Sequence, residues 1–330
     1  MRKALYLLGS EAYEMIYGPD ERRDISALVD VYAPLVTPSS LARDMGVLKD
    51  AEVVMSGWGM VRMTEAFLKA APNLKAVFYG SGSVKSFVTD ASWGRGVIVC
   101  SAWAANAVPV AEYTLSQILL GLKRCWYYAR ESKRLRTYAR VRGVVGAYGG
   151  VVGIVSLGRI AQLVCEHLRR FDVKVIAYDP FMGEEEARRL GIELCGLDEV
   201  FERGDVVSLH TPDLPETRGL IKGKHLSSMK QCATFINTAR GAVVQEGEMI
   251  EALTQRTDLT AILDVTGREP TEADSPLWDM ANVVVTPHIA GSQGMECRRM
   301  GRYMVEELGR YVKGEQLKWQ VTQEMVGRMA

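Results

Sequence analysis

What the chain lacks narrows the field first. Its 40 Lys and Arg are matched by 40 Asp and Glu, so it carries no net charge and no excess of one sign to hold a polyanion. With no dominant Lys/Arg block either, nucleic acid and anionic membrane are disfavoured as partners. Charge neutrality also leaves no electrostatic bar to self-association. Cysteine is sparse, six residues in all, and Cys100, Cys125, Cys165, Cys195, Cys232 and Cys297 form no C-x-x-C and no metal-ligand spacing. They read as reduced thiols of a cytoplasmic protein, with no metal expected. No apolar run approaches a membrane span. The opening Met1-Arg2-Lys3 leads into too short an apolar stretch for a signal peptide. Internal repeats and low-complexity tracts are absent as well.

What is present has a clear centre, the run 151–179, VVGIVSLGRIAQLVCEHLRRFDVKVIAYD. A β-branched strand pattern at 151–155 meets a tight turn, Ser156-Leu157-Gly158-Arg159-Ile160-Ala161, which opens an amphipathic helical pattern. A second apolar run, 173–178, ends in Asp179. Strand, glycine turn, helix, strand and acid are the order of a dinucleotide-binding βαβ unit. The turn lets backbone approach a pyrophosphate, and the helix start offers unpaired N–H groups and a positive dipole end. The acid suits a ribose diol and would repel a 2′-phosphate, which points to NAD over NADP. The fingerprint departs from its usual form in one place. Ser156 holds the position of the first glycine, while Ala161 at the third is an accepted small residue.

Around this unit, short apolar runs alternate with helical patterns. Runs at 3–8, 52–56, 74–79 and 97–100 predict a parallel sheet in a first α/β domain. Its strand ends feed loops rich in small residues, Ser56-Gly57-Trp58-Gly59 and Gly80-Ser81-Gly82-Ser83, which are candidate walls of a site. A helical pattern over 105–124 links the domains and contains Glu112, a carboxylate costly in apolar surroundings unless paired. Further strands are expected at 205–210, 233–237, 259–265 and 282–286, giving the central sheet six. Helical patterns fall at 184–190, 198–203 and 245–255. A final helix around 305–312 comes too late for that sheet and is expected to pack back on the first domain. The expected division is thus 1–101 with 293–330, and 102–292.

Three polar residues stand just beyond strand ends in the second half: Arg240, Glu269 and His288. Each alone is unspecific; together at one sheet edge they form a working set. An arginine can hold a carboxylate bidentately. A histidine can pass a proton to or from a hydroxyl or carbonyl oxygen, and a glutamate can orient the imidazole.

The same residues carry a family resemblance. Asn237-Thr238-Ala239-Arg240-Gly241, Leu263-Asp264-Val265 with Glu269-Pro270, Ser275-Pro276-Leu277-Trp278 and Thr286-Pro287-His288-Ile289-Ala290-Gly291 resemble the D-2-hydroxyacid dehydrogenases. So do Asn106-Ala107 with Val110-Ala111-Glu112, Leu209-His210-Thr211-Pro212 with Glu216-Thr217, and Ala177-Tyr178-Asp179-Pro180. The resemblance implies an NAD-dependent oxidoreductase, usually a homodimer, built of two doubly wound parallel-sheet domains. A Rossmann cofactor domain is inserted into a flavodoxin-like substrate domain.

Carried over motif by motif, Arg240 would bind the substrate carboxylate. His288 would be the acid in reduction and the base in oxidation, paired with Glu269. Ser156, Leu157, Gly158, Arg159, Ile160, Asp179, His210, Thr211, Pro212, Thr217, Thr238, Ala239, Asp264 and Gly291 would hold the cofactor, Asp264 at its nicotinamide carboxamide. Ser81 and Gly82 N–H groups, with Ser83 and Trp58, would bind the 2-oxo or 2-hydroxy acid. Val84 replaces the acid or amide frequent after that loop, so the substrate side chain cannot be copied from familiar members. Trp58, Tyr79 and Trp103 could wall an aromatic pocket. Two rivals share the scaffold: an NAD(H)-sensing interaction protein of corepressor type, and a Rossmann-like methyltransferase. The second gives no reason for Arg240, Glu269 and His288 in this order.

Overall fold

The computed structural model describes residues 1–329, which form two compact units. The first comprises Met1–Ala107 and Ser292–Met329, the second Val108–Gly291. The chain therefore leaves the first unit inside the helix Trp103–Leu122, a few residues later than position 102.

The first unit is built on β1 (Lys3–Leu7), β2 (Asp30–Val31), β3 (Val53–Ser56), β4 (Ala76–Tyr79) and β5 (Ile98–Ser101), paired in parallel in the order β5-β4-β3-β1-β2. Strands covered on both faces need apolar residues at nearly every position. VVMS and AVFY are accordingly buried throughout. One apolar cluster gathers around Tyr6, Ile16, Phe78 and Met304, the other around Leu5, Phe67, Val77 and Phe87. The helix Met295–Lys313 supplies Cys297, Met300, Met304 and Leu308 to the first cluster, so the last long helix does return to this unit.

The second unit holds β6 (Val151–Val155), β7 (Lys174–Tyr178), β8 (Ile192–Leu194), β9 (Val206–Leu209), β10 (Thr234–Asn237), β11 (Thr260–Leu263) and β12 (Val283–Val285). All are parallel, in the order β12-β11-β10-β9-β6-β7-β8. The sheet thus has seven strands, not six. The unexpected one, β8, is a three-residue edge strand, Ile-Glu-Leu, with too few apolar residues to register as a run. The chain order reverses between β6 and β9, and ligands of open parallel sheets bind at such a switch point, beyond the carboxyl ends of the strands. Glu112 needs no partner, because it lies on the exposed side of its helix.

A last strand of the first unit, β13 (Gln320–Val321), is antiparallel to β5. It is held by Glu307, a fully buried carboxylate that accepts from the Lys318 and Trp319 N–H groups, both at 2.9 Å, and pairs with Arg310. Among the described residues no helix is long and apolar enough to cross a membrane, and no cluster of His, Cys, Asp and Glu could hold a metal. All six cysteines are free thiols.

Candidate active site

The turn after β6 sits at the switch point. Ser156 follows the strand with φ +71°, the left-handed region that a glycine enters freely and a serine enters at about 1–2 kcal/mol. Its N–H donates to the Tyr178 carbonyl (2.8 Å), and its hydroxyl lies 2.8 Å from the Thr211 hydroxyl, just beyond β9. Gly158 then caps the helix Arg159–Leu168 in extended conformation, with no side chain bonded to the free helix N–H groups. A Cβ added to Gly158 would meet nothing within 4 Å. An uncapped helix start with open space above it is what a pyrophosphate requires.

Asp179, beyond β7, does more than the sequence suggested. Its Oδ2 accepts the Leu157 N–H at 2.7 Å, and its Oδ1 accepts the N–H groups of Phe181 and Met182 at 2.8 and 2.9 Å. The carboxylate braces the turn and its own loop, and the lone-pair capacity left over is what a ribose hydroxyl would use. On the other side of the switch point, burial pushes His210 down to about 4, so it is neutral at neutral pH; its Nε2 pairs with the Ser208 hydroxyl at 3.0 Å. Thr217 fixes the following loop, donating to the Pro212 carbonyl at 2.6 Å. Thr238 is buried and bonded to Thr114 at 3.0 Å, and Ala239 is buried beside it. These residues fit a dinucleotide: open helix N–H groups, a neutral floor and a strand-end carboxylate.

Arg240 follows β10 through an asparagine turn. Asn237 accepts the Ala239 N–H (3.0 Å) and donates to the Arg240 carbonyl (3.1 Å), which fixes where the guanidinium leaves the backbone. Gly241 is obligatory, since a Cβ there would fall 1.8 Å from the Thr266 carbonyl oxygen. That close approach sets the Arg240 loop against the loop leading to Glu269. The guanidinium spends one donor on the Ala239 carbonyl (2.6 Å). Burial pulls its pKa down, opposed by the carboxylates of Glu269 and Asp213; an arginine in this setting stays charged.

His288 and Glu269 come together as a pair, imidazole Nδ1 to carboxylate at 2.5 Å. The loop bearing His288 is organised by Asp264, 2% exposed, whose Oδ1 accepts the Ile289 N–H (2.9 Å) and the Thr286 hydroxyl (2.6 Å), while Oδ2 accepts the Ala290 N–H (2.8 Å). The Asp264 carbonyl also accepts the His288 N–H at 3.1 Å. Held this way, His288 adopts φ +54°, a strained conformation for a non-glycine residue of the kind found at functional sites. Of the other histidines, His225 is buried, its pKa lowered by that burial, and caps a helix through the Lys222 N–H. His167 lies in the last turn of the helix after Gly158. His288 alone joins exposure to a carboxylate partner at a strand's carboxyl end.

Sequence reasoning missed Asn237, Gly241 and Thr286. An asparagine at the last position of a strand was the available signal for the first. Gly291 closes the second unit.

In the first unit, Ser81 is buried, and its N–H is already given to the Tyr79 carbonyl (2.8 Å). That N–H is therefore engaged within its own turn. The loop is tied down by the Ser101 hydroxyl, which donates to the Ser81 carbonyl at 2.8 Å. Trp58 is 37% exposed, whereas Tyr79 packs on Phe87 and Trp103 on Trp319. Val84 is buried in the second cluster and serves packing.

The second unit is thus a doubly wound dinucleotide-binding sheet with an arginine and a histidine–glutamate pair at its carboxyl edge. The model of the D-isomer specific 2-hydroxyacid dehydrogenase NAD-binding domain matches residues 115–290, and the chain belongs to that family. It is 36% identical over 299 residues to D-3-phosphoglycerate dehydrogenase of Mycobacterium bovis, across 90% of this chain and 52% of that protein. The chain spans about half the length of the curated relatives it matches. D-lactate dehydrogenase of Aquifex aeolicus, solved with NAD and lactic acid, is 25% identical, with TM-score 0.73 over 94% of this chain and 96% of that one. D-mandelate dehydrogenase of Rhodotorula graminis shares the fold, with TM-score 0.81 at 23% identity over 98% of each chain.

Proposed function

We propose that the protein is an NAD-dependent dehydrogenase interconverting a 2-oxo acid and the corresponding D-2-hydroxy acid. The observation that carries this is the His288–Glu269 pair at 2.5 Å on a loop anchored by Asp264, with Arg240 within the electrostatic reach of Glu269. The turn 156–160, Asp179, His210–Pro212, Thr217, Thr238, Ala239, Asp264 and Gly291 would hold NAD(H), which would supply or accept the hydride. The chain supplies the rest. The Arg240 fork binds the planar carboxylate and draws charge from the adjacent carbonyl. With Nδ1 tied to Glu269, His288 has Nε2 to deliver a proton to the oxygen in reduction and to remove it in oxidation. Glu269 fixes the ring and stabilises the imidazolium. In the first unit Gly82, Ser83 and Trp58 serve substrate binding.

The reading is tested by a screen of 2-oxo acids of graded size and charge against NADH and NADPH, following loss of nicotinamide absorbance. Turnover of at least one acid with NADH preferred is expected, because the Asp179 carboxylate repels a 2′-phosphate. A preference for NADPH would overturn the part given to Asp179, and no turnover of any acid would count against the whole.

We also propose a cytoplasmic homodimer. Its support is the exposed apolar series Trp126, Leu135, Tyr138, Val141, Val145 and Tyr148, concentrated within one short segment, together with the six unpaired thiols. Sedimentation at micromolar concentration should give twice the 36.5 kDa chain mass, and a monomer would refute the proposal.

A further inference from the structure

The residue that breaks the glycine fingerprint also makes a contact that glycine could not. Ser156 follows β6 and Thr211 follows β9, the two strands flanking the switch point, and their hydroxyl oxygens lie 2.8 Å apart. Two hydroxyls carry two protons, and the bond between them uses one. Neither oxygen has another partner among the described residues, so one O–H donor of the pair remains to be given.

The turn has reason to use it. Of the backbone N–H groups around a pyrophosphate turn, that of Leu157 is already committed to Asp179 Oδ2 at 2.7 Å. Next along the chain stands the uncapped start of the ten-residue helix Arg159–Leu168, with open space over Gly158. An anion drawn there would find a spare hydroxyl proton at the floor of the same crevice.

We propose that the Ser156–Thr211 hydroxyl pair donates a hydrogen bond to the pyrophosphate of the dinucleotide, replacing the backbone donor spent on Asp179. Ser156 is thereby a cofactor-binding residue through its side chain, not a tolerated defect in the turn. The mutual bond holds its left-handed backbone in place. This inference rests on the NAD reading of the site.

Strain and hydrogen bonding can be separated by substitution. Ser156→Gly removes both the strain and the hydroxyl; Ser156→Ala keeps the strain and removes the hydroxyl; Thr211→Val removes the partner hydroxyl at nearly constant shape. NADH and ADP-ribose binding are measured by calorimetry on each purified protein, beside its thermal unfolding. A hydrogen bond to a charged group corresponds to roughly tenfold or more in affinity. NADH and ADP-ribose are therefore expected to bind about tenfold more weakly to both Ser156 variants, whereas Thr211→Val frees the Ser156 O–H to donate and should bind close to wild type. Unfolding temperature should fall for Ser156→Ala and stay near wild type for Ser156→Gly, where relief of strain offsets the lost bond. A purely structural role would make affinity follow stability, leaving Ser156→Gly with wild-type binding. That result, or an unchanged affinity in Ser156→Ala, would overturn the inference while the NAD reading stood. Failure of the wild-type protein to bind NADH would overturn the NAD reading itself, and the inference with it.

Discussion

Replacing His288 with asparagine is expected to lower turnover of a 2-oxo acid by about 10²–10⁴-fold while NADH binding persists. Asparagine is the informative choice. It tolerates the left-handed backbone that His288 adopts at φ +54°, so the loop on Asp264 keeps its course and only proton transfer is lost. The effect should fall on kcat, because the ring's proton matters as charge builds on the substrate oxygen. Glu269→Gln tests the partner. It retains a hydrogen-bonding group 2.5 Å from Nδ1 but removes the charge that stabilises the imidazolium, so it should cost less than loss of the ring. Steady-state kinetics on the two variants, with NADH affinity measured alongside, check the order. Unchanged turnover in His288→Asn would remove the histidine from the reaction.

Loss of the Arg240 fork should produce the second large effect. A half-buried guanidinium paired with a substrate carboxylate is a desolvated charge pair, and truncating one member costs on the order of 10²–10³ in affinity. Arg240→Gln should therefore lower kcat/KM for 2-oxo acids by about 10²–10³-fold, chiefly through KM, and leave NADH affinity intact. Arg240→Lys keeps the charge and loses the planar fork, so it should recover only part of the loss. The backbone around residue 240 is shaped by Asn237 and Gly241, not by the guanidinium, so neither variant should disturb the loop. A KM that stays at the wild-type value would place the carboxylate elsewhere.

Much of this site could be read from residues in order. The run from β6 to Asp179 announces itself because strand, turn and helix each have a local cause: β-branched residues, a small-residue turn and a 3.6-residue apolar period. Arg240, Glu269 and His288 were legible because each stands a few residues beyond an apolar run. Three of the short edge strands were not. β2 and β13 have two residues each, and β8 has three broken by Glu193, whereas the equally short edge strand β12 is an unbroken Val-Val-Val and was expected.

The double duty of the acids was equally hidden. Asp179 and Asp264 were expected to face cofactor, yet each first gathers backbone N–H groups of its own surroundings, a matter of local geometry that residue order does not carry. Ser81 makes the same point in reverse, since its N–H proved to be committed within its own turn. Ser156 looked like a flaw in a fingerprint, and its meaning depended on Thr211, which meets it from the end of the neighbouring strand β9.

NADH is expected to reduce a 2-oxo acid at this site, with His288 supplying the proton. Incubating the protein with NADH deuterated at the transferring position of C4 and a 2-oxo acid tests it most directly. Mass spectrometry should then find a 2-hydroxy acid carrying one deuterium at C2 from the wild-type protein, and a rate of labelling lower by about 10²–10⁴-fold from His288→Asn. Bound NADH with no label transferred to any acid, or equal labelling by both proteins, would contradict the account.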